Sequence, residues 1–255
     1  MKKETRGFLY LLNEEFLRIF KFLIIICIFS MVGQLLLIGW AAQDYGALMD
    51  RFESFYSRSG SIIMFIVSLA CIVGVFVLHF YSHYWGSKSI YTLMTLPMER
   101  SRIYTCFLVI YLIGLMLFLI LSIATVIMGY GLFYIKQMNI QGGKYVMHNG
   151  LFLAFVRSDF LRLLVPLTWK SFYSSLSLWG LLPITIIYGV ICERSLRYWN
   201  LVLVSLSLVL MIITVSQRMG YNNDYLLVIS IAMSLLGCFF VWHSIKIINR
   251  NGITG

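Results

Sequence analysis

The sequence predicts an all-α integral membrane protein: six transmembrane helices preceded by an N-terminal amphipathic interfacial helix, with the N- and C-termini cytoplasmic. Three observations predict it. The chain of 255 residues is 60% hydrophobic and only 12% charged, whereas soluble domains are nearer half apolar and about a quarter charged. Six runs free of Asp, Glu, Lys and Arg, at about 22–42, 61–82, 103–135, 171–192, 199–217 and 225–245, are each long enough to cross the hydrocarbon as a helix. Lipid cannot satisfy backbone N–H and C=O groups, so such runs must close their hydrogen bonds internally. The alternating ten-residue segments of a membrane β-barrel are absent.

The elements follow in order. Residues 7–21, "GFLYLLNEEFLRIFK", repeat Phe8, Leu12, Phe16 and Ile19 at helical spacing with Asn13, Glu14, Arg18 and Lys21 opposite. This pattern predicts a helix lying in the inner membrane surface before the first span; a polar-flanked extension of that span is the plainer reading. A short polar outer loop (43–60) leads to the second span, and residues 83–102 form a cytoplasmic loop. The third run exceeds the hydrocarbon thickness, so its helix should tilt or project. Residues 136–170 make the largest outer piece: a Gly-rich first half, then an amphipathic stretch at 151–168 broken by Arg157, Asp159 and Arg162, expected as one surface helix. Gly180 and Pro183 invite a kink in the fourth span. "ERSLR" (193–197) and "RMGYNND" (218–224) are tight turns, and a short basic tail follows the sixth span. No internal repeat or linker is visible, so residues 1–255 read as a single transmembrane domain.

Basic residues set the orientation. With the N-terminus inside, the cytoplasmic pieces hold 12 of the 20 Lys and Arg, and five of the remaining eight fall in the long 136–170 loop, where charge counts for less. The net charge of +10 then reflects orientation and anionic-lipid contact, not nucleic-acid binding. The opening Met1-Lys2-Lys3 does not read as a secretory signal, because Glu4, Glu14 and Glu15 precede the first apolar run and "GWAAQD" is a poor cleavage site. Cys27, Cys71, Cys106, Cys192 and Cys238 are scattered singly and read as small core residues, not as a disulfide or metal framework.

Enzyme signatures fail at named positions. Glu14, Glu15 and Arg18 resemble the glutamate-pair-and-arginine motif of intramembrane prenyl proteases, but only Phe16 and Leu17 intervene where three residues belong, and no histidine pair is expected at a suitable place in the later spans. His79 and His83, at i and i+4, have zinc-ligand spacing, yet Phe80 stands where a zinc protease keeps its glutamate; an aromatic-rich interfacial belt is the expected role. "GGK" at 142–144 lacks the rest of a phosphate loop, and no Gly-x-Ser-x-Gly turn is present. No catalytic, cofactor-binding or metal residues are therefore expected. No span carries an ionisable Asp, Glu, Lys or Arg near its middle, so energy for any transport should arrive through a partner.

Between the second and third spans stands "SIYTLMTLPMERSRIY" (89–104). Ile90, Leu93, Met94 and Met98 form an apolar edge at i, i+3, i+4 and i+8; Lys88, Glu99, Arg100 and Arg102 supply charge, and Pro97 stops the helix. An ordinary positive-inside loop would explain the charges alone. Leu96-Pro97 with Arg100 just before the next span resembles the first cytoplasmic loop of membrane subunits of ATP-binding-cassette transporters of the type-2 export class. The resemblance covers the architecture of nearly the whole chain but only about fifteen residues of motif. The long 136–170 piece departs from the family.

What the resemblance implies is a permease subunit of an exporter in the plasma membrane of a bacterial-type cell. Ile90, Tyr91, Leu93, Met94, Leu96, Pro97, Met98, Glu99 and Arg100 would dock a separate ATPase, present in two copies and holding the ATP and magnesium. A second copy of the chain, or a similar subunit, would complete the pathway. An apolar lining would suit an amphipathic peptide, a lipid-like molecule or a hydrophobic drug. Two rivals stand beside it: a non-transporting membrane regulator or immunity protein, and an intramembrane enzyme whose polar residues would cluster at one depth.

Overall fold

The computed structural model describes residues 2–43, 50–84, 99–140, 149–196, 198–220 and 225–251, with side chains from residue 6 to residue 249. It is 90% helix and, among the described residues, contains no strand. Nine α-helices are described: α1 (Lys2–Ala41), α2 (Phe52–Arg58), α3 (Ser61–Ser82), α4 (Arg100–Met138), α5 (Gly150–Arg157), α6 (Asp159–Leu164), α7 (Trp169–Arg194), α8 (Leu201–Met219) and α9 (Leu226–Asn251). Six of them, α1, α3, α4, α7, α8 and α9, are long and apolar enough to cross a membrane.

Residues 7–21 do not form a separate element. They are the first half of α1, a single 40-residue helix, because neither glycine nor proline occurs between Gly7 and Gly33 to interrupt it. The apolar stripe is real but turned by about one position. Leu11, Glu15, Ile19, Leu23, Cys27, Ser30, Gln34 and Ile38 form the buried line, while Phe8, Leu12 and Phe16 are half-buried flanks packed against the same core. The stripe thus faces the neighbouring helices.

The spans associate as two groups, α1 with α3 and α4, and α7 with α8 and α9; α3 and α4 both touch α7, and α4 also touches α9. Hydrophobic transfer cannot drive association inside lipid, so close van der Waals packing must. Gly114 of α4 shows how: a Cβ there would stand 2.9 Å from Leu23 Cδ1 and 3.3 Å from Phe76 Cζ, so a larger residue would have to displace side chains where α1, α3 and α4 meet. Stacked rings fill the seams, Phe76 on Tyr111 at 4.5 Å and Tyr188 on Phe240 at 4.1 Å between centroids. Outward-facing Ile25, Phe29, Leu36, Ile63, Ile120, Ile212 and Leu235 are exposed, the apolar exterior that hydrocarbon requires.

At the end of the bundle where α1 finishes, Lys136 of α4 donates its Nζ to Gly39 O at 3.1 Å and to Ala42 O, satisfying carbonyls that the end of α1 leaves free. Helix α2 lies here with Phe52 and Phe55 against Phe133. Tyr56 donates to Gln34 Oε1 at 3.1 Å while Gln34 donates to Ser30, a buried polar chain, and burial pushes the Tyr56 phenol above its ordinary value. The α2–α3 turn passes through Gly60 at φ 79°, a left-handed position that suits glycine.

The single surface helix expected over 151–168 is two short helices. Ser158 is extended (φ −77°, ψ 126°) and its hydroxyl accepts from Leu161 N, ending α5 and capping α6 in one residue; Pro166 lies just beyond. Arg218 of α8 is buried and donates to Arg162 O and to Ser175 Oγ, fastening α6 to the ends of α7 and α8. Pro183 is accommodated within α7, and all five cysteines are free.

Candidate functional site

Of the residues expected to dock a partner, Ile90, Tyr91, Leu93, Met94, Leu96, Pro97 and Met98 lie outside the described residues. Their flanks are described. Glu99 is extended and exposed, immediately before α4, and pairs loosely with Arg102 at 3.7 Å. Arg100, the first residue of α4, is exposed and reaches Ile248 O of α9 at 3.5 Å. On the other side of the 85–98 segment, Tyr81 of α3 donates to the Glu193 carboxylate, and the Arg194 guanidinium lies over the rings of Tyr81 (5.1 Å) and Tyr84 (4.9 Å). The two chain ends that bracket the segment are thus held, one by α7 and one by α9.

A third tie is chemically the most distinctive feature of the molecule. Glu15 of α1 projects into the bundle, 2% exposed, where its Oε2 lies 3.2 Å from His79 Nε2 of α3 and 3.2 Å from His83 Nε2 just past that helix. One turn apart, the two histidines present their rings to the same point, edge to face at 5.3 Å. Both are buried, so the interfacial-belt role expected for them is incorrect. Phe107 of α4 packs edge-on against each ring and shields the cluster. Glu15 Oε1 is taken by Arg18 at 3.4 Å, and Arg18 also stands 3.7 Å from Glu14, with its head half exposed. Tyr111 of α4 sits behind His79: its hydroxyl is 3.2 Å from His79 Nδ1 and donates to Phe76 O at 3.0 Å.

Sequence reasoning touched both halves of this cluster and joined neither. Glu15 falls in the register of the buried stripe, four residues from Leu11 and from Ile19; a carboxylate in that register was the available signal. His79 and His83 were recognisable as a one-face pair, but the expectation that no histidine pair is suitably placed for Glu14-Glu15 is incorrect, since both rings reach Glu15. That the two faces oppose each other is a tertiary fact. One carboxylate oxygen and two imidazole nitrogens, within 4.8 Å of one another, form a donor set able to hold a metal ion.

The fold and this site define a multi-pass membrane protein whose second described span is fixed at one end by a buried carboxylate–imidazole cluster. No family model, curated protein or solved structure matches the chain.

Proposed function

We propose that the chain is the transmembrane permease subunit of an ATP-binding-cassette exporter, receiving force from a separate ATPase through residues 89–100. The observation that carries this reading is the bracketing of that segment. Its entering end is tied to α1 by the Glu15–His79–His83 cluster and to α7 by Tyr81 and Glu193, and its leaving end is tied to α9 by Arg100. A push or pull on a short segment so anchored is passed to its own spans α3 and α4 and to α1, α7 and α9 instead of being absorbed locally. Both termini and this segment are assigned to the cytoplasmic side by the distribution of Lys and Arg.

An open groove between α7 and α9, about 540 Å³ and lined by Leu176, Gly180, Leu181, Met233, Gly237 and Trp242 among others, is almost wholly apolar. It suits the apolar part of an amphipathic peptide, lipid-like molecule or drug. Pairing with a second copy or a similar subunit would complete the pathway, and ATP and magnesium belong to the two ATPase subunits.

The intramembrane-enzyme alternative gains from the Glu15–His79–His83 cluster, the kind of polar group it requires. Against it, all three side chains are buried and shielded by Phe107, so a substrate has no contact with them in this conformation. Affinity purification from native membranes separates the readings. The exporter reading expects an ATPase to accompany the chain and to be lost, or its ATP hydrolysis uncoupled, when Leu93 and Met94 are replaced by Asp. Purification of the intact wild type with no ATPase overturns it.

A further inference from the structure

We propose that Glu15, His79 and His83 form a binding site for one divalent transition-metal ion of the zinc class, which fastens α1 to the end of α3. The inference does not rest on the exporter reading.

Three observations carry it. The first is spacing. Two ligand atoms on a tetrahedral ion with bonds of about 2.0–2.1 Å stand about 3.3–3.4 Å apart, and both nitrogens stand 3.2 Å from Glu15 Oε2. The second is convergence. His79 and His83 each direct an Nε2 at the same buried carboxylate oxygen, and the Tyr111 hydroxyl, 3.2 Å from His79 Nδ1, is placed to accept a proton there, so that the Nε2 lone pair of a neutral His79 is available to a metal ion. A single ion satisfies both contacts at once.

The third observation is the surrounding shell. A metal-bound histidine ordinarily donates its other N–H to an oxygen, which fixes ring and tautomer; for His79 the Tyr111 hydroxyl, 3.2 Å from Nδ1, is placed to accept it. Arg18 engages Glu15 Oε1, leaving Oε2 for the ion. Two imidazoles and a carboxylate favour zinc, cobalt, nickel or copper over magnesium and calcium, which require several oxygen ligands. The three protein ligands leave a fourth position for water.

The test uses the full-length chain, free of any histidine tag, purified in detergent, loaded with zinc or cobalt chloride and dialysed. We expect about one ion retained per chain by elemental analysis, the visible absorption of tetrahedral cobalt, and a zinc-dependent rise in Tm. Glu15→Gln and His83→Ala should each weaken retention at least tenfold. His243→Ala, which alters a histidine bonded to Tyr188 on the other helix group, should leave it unchanged. His83→Cys keeps a ligand atom and should add a sulfur-to-cobalt charge-transfer band that no structural role for His83 would produce. Helical, monodisperse wild type that retains no ion and shows no cobalt spectrum overturns the site and leaves the cluster a carboxylate–imidazole contact between α1 and α3. Equal loss of metal in His243→Ala overturns it as well. Should the Glu15 or His83 variants fail to fold, these wild-type measurements still decide.

Discussion

Among the described residues, Glu15 is the only acidic side chain that is buried. Where Glu14 beside it is half exposed, Glu15 is enclosed by two histidines and the edge of Phe107, and this difference arises from a single step around α1. Within the metal site, Tyr111→Phe removes the acceptor for His79 Nδ1–H while keeping the ring stacked on Phe76. Loss of such an outer partner typically costs about 10–100-fold in metal affinity, so competition with a chromophoric chelator should show zinc affinity falling by about tenfold or more. A second residue carries backbone strain instead of chemistry. Leu196, in the turn after α7, adopts φ 57°, a conformation that costs a residue with a Cβ roughly 1–2 kcal/mol. Leu196→Gly removes that penalty at the expense of chain entropy, for a net gain of about 0.5 kcal/mol, read as a higher Tm in detergent.

Helix junctions depend on particular side chains. Gly114 stands where side chains of α1 and α3 meet α4, and Gly114→Val should force Leu23 and Phe76 apart. Overpacking of this kind costs about 1–3 kcal/mol, and because Tyr111 and Phe107 lie one and two turns away on the same helix, the variant should also lose metal affinity. Thermal unfolding followed by helical circular dichroism, with and without zinc, checks both effects. The break between α5 and α6 depends on one hydroxyl. Ser158→Ala should destabilise α6 by about 1 kcal/mol, seen as faster amide exchange at Phe160 and Leu161 with α4 unaffected.

The whole chain divides into two helix groups whose contacts run through α3, α4, α7 and α9. A segment between α3 and α4 is well placed to act on both. The proposed orientation puts α6 outside and the α7–α8 turn inside. In a background lacking the five native cysteines, Asp159→Cys should react with a membrane-impermeant thiol reagent added to intact cells. Tyr198→Cys, exposed in the turn before α8, should react only after permeabilisation. The reverse pattern inverts the topology and removes the docking proposal for residues 89–100.

Span number and helical class were legible in the sequence because lipid imposes its demand locally: each crossing must be apolar and must satisfy its own backbone hydrogen bonds, so every run announces itself. The amphipathic stripe of residues 7–21 was legible for the same reason, but its orientation was not, since an apolar face fits a membrane surface and a neighbouring helix equally well. Tertiary packing decided that. It turned the stripe inward, and with it Glu15, towards two histidines that the sequence places on another span. Pattern and spacing describe one helix at a time; the opposition of Glu15 to His79 and His83 is a relation between α1 and the end of α3, decided by how those helices pack.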